Sequence, residues 1–207
     1  MPTPLVKAHQ FLAAILALFI FTHLAVHLTA LGGAEQHISA LSKVQKLYRH
    51  PLIEPVFILA LLSQIFIGAR LAAKRWHQTH KGFWGWTQIL SGLYLAVFIL
   101  AHTGAALFAR HGFGLDTNFY WAAGTLNVGW LPYFFAPYYL LGITSVFAHL
   151  AAALYFGRKT QHIAFPTAIL LLGFGIALLI VTTFGGVFYE IHLPEDYLTY
   201  FGKYPGL

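Results

Sequence analysis

Long apolar runs separated by short polar stretches dominate the sequence. Five of them, at residues 5–31, 51–73, 83–108, 133–156 and 165–189, would each make a helix of about 35–40 Å, enough to cross a bilayer with some tilt. The pattern predicts an all-α membrane protein, with residues 1–207 forming a single domain of five transmembrane helices. The first run ends in His23, His27 and Gly32-Gly33 with no small-residue cleavage pattern, which predicts a retained helix rather than a signal peptide. Pro51 and Pro166 suit the first turns of the second and fifth helices, where no N–H is needed, and the Pro132–Pro137 interval predicts an irregular start to the fourth.

Two connections have patterns of their own. Residues 34–50 place Ile38, Leu41, Val44 and Leu47 three apart with Lys43, Lys46 and Arg49 among them, as in a short amphipathic helix at the interface. Residues 111–130, rich in Gly and aromatics, are expected to lie folded against the membrane.

Composition strengthens the membrane reading. The chain is 58% hydrophobic and 9% charged, where a soluble domain has about one quarter charged residues. Many Trp and Tyr stand near the ends of the runs, where amphipathic rings suit the headgroup region. The absence of Cys excludes disulfides, thiol catalysis and iron–sulfur ligation by this chain. A net charge of +6 would suit nucleic acid, but the basic residues are scattered at helix ends with no stripe or recognition motif, so membrane lipid is the expected anionic partner and nucleic acid is not.

Charge also suggests a topology. With the N-terminus inside, Lys7, Arg70, Lys74, Arg75, Lys81, Arg158 and Lys159 fall on the inner face, against Lys43, Lys46, Arg49, Arg110 and Lys203 outside. The expected placement is a multi-pass protein of a bacterial plasma membrane, with a cytoplasmic N-terminus and the C-terminus outside.

The second anomaly is histidine, 12 of them beside 12 Lys plus Arg and 6 Asp plus Glu. His23, Gln64, His102 and His149 stand deep in the first, second, third and fourth runs. Intramembrane His is costly and points to function, with an interhelical hydrogen bond as the competing reading of each. Counted from the inner ends, His23 and His102 share an outer level, and Gln64 and His149 an inner one. A pair of His from two helices at one depth can clamp haem iron axially within a sheath of Leu, Phe and Ala. Zinc would want three or four ligands. Arg49, Arg110 and His27 are the outer candidates for the haem propionates, His27 lying one turn from His23 on the same face. His9, His50, His77, His80, His111, His162 and His192, at ends and in connections, read as solvated or interfacial. Gly68, Gly92 and Gly142 would let a helix or a planar ring approach closely, or serve plain helix packing.

These residues resemble a family. His23-Leu24 followed by Gly32-Gly33-Ala34-Glu35, the run Trp86-x-Gln88-x-x-Ser91-Gly92 leading through Phe98 to His102, and Gly142-Ile143 followed by Phe147-x-His149 are similar to motifs of the cytochrome b membrane anchor of succinate:quinone oxidoreductases. These enzymes are succinate dehydrogenase, of the tricarboxylic acid cycle, and fumarate reductase. The resemblance, to the type with one five-helix anchor, extends over the chain in length and helix count. It implies a haem-binding bundle in which His23 and His102 are metal ligands of an outer haem b, and Gln64 and His149 occupy the positions of an inner pair. The family has His where this chain has Gln64, and a neutral amide is a poor iron ligand. The expectation is therefore one outer haem, with a second, inner haem left open.

The resemblance further implies flavoprotein and iron–sulfur partner subunits on the inner face, electrons passing between them and membrane quinone, and no dicarboxylate chemistry in this chain. Association of the whole complex into an oligomer is left open. Quinone candidates are Trp84, Trp86, Gln88 and Gln64 near the inner surface, with aromatic-belt packing as the alternative for the tryptophans, and Glu54, His27 and Tyr48 near the outer one, with a solvated interfacial carboxylate as the alternative for Glu54. The other readings are a differently partnered or standalone haem b quinone oxidoreductase, a transporter using His relays and an assembly factor.

Overall fold

The computed structural model describes residues 2–77, 82–157 and 162–203, and these are helical with no strand among them. Helix α1 (Pro4–Leu28) starts with Thr3 accepting from the Val6 N–H and with Pro4 in the first turn, then tightens into a 3₁₀ turn (Thr29–Gly32). Gly33, at φ 102°, turns the chain into α2 (Ala34–Tyr48), a conformation that favours Gly. There follow α3 (Ile53–Trp76), α4 (Gly82–Phe113), α5 (Phe119–Asn127), α6 (Leu131–Gly157), α7 (Ala164–Phe184) and α8 (Glu195–Phe201). Helices α1, α3, α4, α6 and α7 are the five long and apolar enough to cross a membrane.

Large apolar side chains cover the outside of these five. Leu18, Val56, Leu59, Val97 and Leu171 are all mostly exposed, which suits hydrocarbon and would be untenable in water. Inside, small residues set the spacing. A Cβ on Gly173 of α7 would collide with Phe147 of α6, and one on Gly142 of α6 with Phe98 of α4, so these glycines let the three helices close on one another. Between α4 and α6 the Tyr94 hydroxyl donates to the Tyr138 carbonyl and the Tyr138 hydroxyl to the Phe98 carbonyl, each at 3.1 Å. Pro137 lies inside α6, which stays helical through it; the expected irregular start is absent.

Three connections differ from expectation. Pro51 falls in the turn before α3, which begins at Ile53. The 111–130 segment contains α5, capped by the Asn118 side chain accepting from the Tyr120 N–H. Phe119, Ala123 and Leu126 of α5 enter the core with Ile180 and Phe184 of α7. The segment is thus a structural plug at the end of the bundle far from the N-terminus. In α2 the buried residues are His37 and Leu41, while Leu47 is exposed. A strict spacing of three drifts around a 3.6-residue helix, so Leu47 ends about 180° from Ile38. The charge positions Lys81, Arg158 and Lys159, and His80, lie outside the described residues.

Candidate functional site

Phe19 and Phe98 each precede a histidine by four residues, one helical turn, and this spacing builds the site. Phe19 stacks on His23 at 5.6 Å and 14° in α1, and Phe98 on His102 at 5.5 Å and 5° in α4. The two imidazoles held in this way meet edge-on, with ring centres 6.1 Å apart and planes at 64°. They line a cavity of about 230 Å³, far more than the roughly 10–15 Å³ one water needs.

Its walls are aliphatic and aromatic, including Leu24, Leu61, Leu95, Ile143 and Val146. Its far end is polar. Arg49 donates to Asp116 at 3.0 Å and to the Thr117 hydroxyl at 2.7 Å, and Arg110 donates to both oxygens of Glu54 at 2.6 and 3.3 Å. Tyr48 lines the same region, and burial raises its phenol pKa. Arg49 Nε and Trp121 Nε1 also belong to residues lining the cavity, and both are buried donors without a protein partner. An aliphatic chamber ending in unspent N–H donors can take a flat apolar molecule with an acidic edge. Among the described residues no group of three or more His, Cys, Asp or Glu is arranged to hold a metal ion.

His27 and His37 extend the cluster. His27 Nε2 is 3.1 Å from His23 Nε2, and His27 Nδ1 is 3.2 Å from His37 Nε2. His37 is fully buried against Phe119 and Phe184, and its Nδ1 has no partner. His37 is unmarked in the sequence, because it stands among polar residues of α2 and is enclosed only when α5 and α7 close over it. The repeated Phe-x-x-x-His was the legible signal for Phe19 and Phe98.

Burial pushes the pKa of His37, which lies outside the spanning helices, down to about 4. An unfolded His titrates near 6.5, so below that pH the unfolded chain takes a proton that the fold refuses until about 4. Stability is therefore expected to fall with pH across this window, by at most about 3 kcal/mol from this residue. Thermal unfolding in detergent at pH 7 and pH 4.5 should show a smaller pH loss in His37→Leu than in the parent. Equal losses would contradict the assignment.

The inner level differs from expectation. Gln64 Nε2 lies 3.4 Å from His9 Nε2, and His9 in turn meets the His149 ring edge-on at 6.4 Å. The expected Gln64–His149 pair is thus replaced by a Gln64–His9–His149 cluster, in which His9, half-buried near the start of α1, has partners of its own. His149 Nδ1 is 3.1 Å from the Gln88 carbonyl and 3.2 Å from the Ser91 hydroxyl, with its ring against Gly92. Of the other inner candidates, Trp84 is buried and stacks on Tyr155, Trp86 meets Trp76 edge-on, and the Gln88 side chain accepts from Arg75. None of Gln64, Trp84, Trp86, Gln88 and His149 lines the cavity, whereas His23, His27, Arg49, Glu54 and His102 all do. Compared with family models, with curated proteins and with solved structures, the chain matches none of them, and the reading of this cavity rests on its own chemistry.

Proposed function

We propose that the chain is the haem b membrane anchor of an oxidoreductase of the succinate:quinone type, carrying electrons between iron–sulfur centres of a partner subunit and membrane quinone. The observation that carries this reading is the approach of His23 and His102, from two different helices, in an apolar cavity whose far end carries the paired arginines Arg49 and Arg110. His23 and His102, with ring centres 6.1 Å apart, are the residues that would hold the haem iron between them. His23 would give up its Nε2 contact with His27 to ligate through that atom, leaving His27 to turn toward a propionate or quinone oxygen.

A haem held there supplies one-electron storage between a donor and a two-electron quinone. The chain's own part is to orient two imidazoles by stacking, to exclude water with α5 and the aliphatic walls, and to neutralise acidic groups with Arg49 and Arg110. The inner cluster also brings two imidazoles together, His9 and His149 at 6.4 Å, but neither lines the cavity, which favours one haem. Lys7, Arg70, Lys74 and Arg75, at the end where α1 begins and α3 finishes, give the partner subunits a basic face.

The gently purified protein should show a reduced b-type absorption spectrum with about one haem per chain by pyridine haemochrome. No haem in such a preparation would reject the reading. Co-purification with subunits bearing flavin and iron, rather than alone, separates this reading from a standalone haem b quinone oxidoreductase.

A further inference from the structure

Beside the histidine cavity lies a second, smaller space of about 150 Å³, between α3 and α4. On its bilayer side stand Leu62 and Leu100, each about half exposed. On its inner side Ile58, Leu61, Ile99, Thr103 and Leu107 line both this space and the histidine cavity. The two are therefore separated by one layer of side chains, four of them flexible aliphatics. Gly104 belongs to the groove, and a Cβ built there meets nothing within 4 Å, so no side chain closes the seam at that point. Thr103 carries the one hydroxyl among the groove's lining residues, and it also lines the cavity.

We propose that this groove is the seat of a membrane quinone, with a ring carbonyl accepting from the Thr103 hydroxyl at the partition and the isoprenoid tail running between Leu62 and Leu100 into the lipid. The proposal rests on the quinone reading above and adds where the quinone sits. The polar far end of the cavity is the wrong exit for such a tail, since drawing methylenes past Arg49, Glu54 and Arg110 toward water is unfavourable at every carbon. The groove keeps the tail in hydrocarbon while bringing the ring within one side-chain layer of His102, the residue before Thr103 on α4. An apolar channel with a single polar group at its inner end has the composition expected of a site that fixes a ring and leaves a tail free.

The test uses the full chain in phospholipid nanodiscs and two probes, a benzoquinone bearing several isoprene units and the same ring with methyl in place of the tail. Binding is read by titration calorimetry for the parent, Gly104→Leu and Thr103→Val. Gly104→Leu fills open space on a helix, and its fold is checked by circular dichroism. It should weaken the tailed quinone about tenfold or more and leave the tail-less one within about twofold. Thr103→Val should weaken both probes to a similar degree, by about fivefold. If Gly104→Leu leaves the tailed quinone unaffected, or weakens both probes equally, the groove is not the tail's seat. Displacement of co-purified phospholipid by Gly104→Leu with unchanged quinone affinity would assign the groove to a lipid acyl chain and overturn the proposal. If the parent binds neither quinone, the functional reading itself fails and takes the groove with it.

Discussion

Exchanging His102 for Ala should abolish the low-spin b-type signal and lower haem retention by at least about tenfold, whereas His149→Ala should leave both largely intact. The difference follows from geometry. His102 lies in the cavity wall, held parallel to Phe98 and edge-on to His23. Removing it takes away the only cavity imidazole on α4, so a haem there would lose one of the two residues that would hold it, with His23, His27 and His37 all on α1 and α2. His149 is on the same α4–α6 seam but nearer the N-terminal end, against Ser91, the Gln88 carbonyl and His9, outside the cavity. Its loss empties a space beside Gly92 and costs packing free energy of about 1–3 kcal/mol, a change visible in unfolding and not in the Soret band. Optical and paramagnetic resonance spectra of the two variants, normalised to folded protein, decide the matter. Equal loss in both would mean that His149 is also a ligand and that one haem per chain is the wrong count.

That contrast also marks how far the sequence could be read. Hydrocarbon demands about twenty consecutive apolar residues from every spanning helix, so all five long helices were legible, although α4 runs on to Phe113 and α7 stops at Phe184, short of the expected 189. Depth was legible too, because it is counted along one helix, and it put His23 level with His102. Azimuth was not. Whether Gln64 faces His149 depends on how α1 packs against α3, and there His9 comes between them. The same limit hid α5. Its sequence is apolar nearly all round and only nine residues long, so it shows no periodic face, and it is a helix in the core because Phe184, Phe201 and Tyr139 surround it. His37 was illegible for the converse reason, being a polar residue on a polar helix that acquires its burial from α5 and α7.

The ion pairs at the far end supply the second large effect. Glu54→Ala should destabilise the protein by about 3 kcal/mol, while Asp116→Ala should cost less than about 1 kcal/mol. Both carboxylates pair with an arginine, but their surroundings differ. The Glu54 and Arg110 side chains are 20% and 18% exposed and share two hydrogen bonds, whereas Asp116 is 50% exposed beside Arg49. Arg49 is itself 21% exposed, but without Asp116 it keeps its bond to the Thr117 hydroxyl, and the open site of Asp116 admits water to it. Little water reaches Arg110, so losing Glu54 leaves an uncompensated guanidinium beside an apolar cavity, and the penalty is that of the stranded charge rather than of the bond. The pair itself should contribute little beyond a well-packed apolar replacement. Adding Arg110→Met to Glu54→Ala should therefore recover most of the lost stability. Unfolding in mixed micelles, followed by tryptophan fluorescence on the parent, both single carboxylate variants and the double variant, checks all three statements. Equal costs for Glu54→Ala and Asp116→Ala would show that the far end of the cavity is as wet as the surface. A double variant as unstable as Glu54→Ala alone would show that Arg110 has a second partner in holding α4 to the bundle.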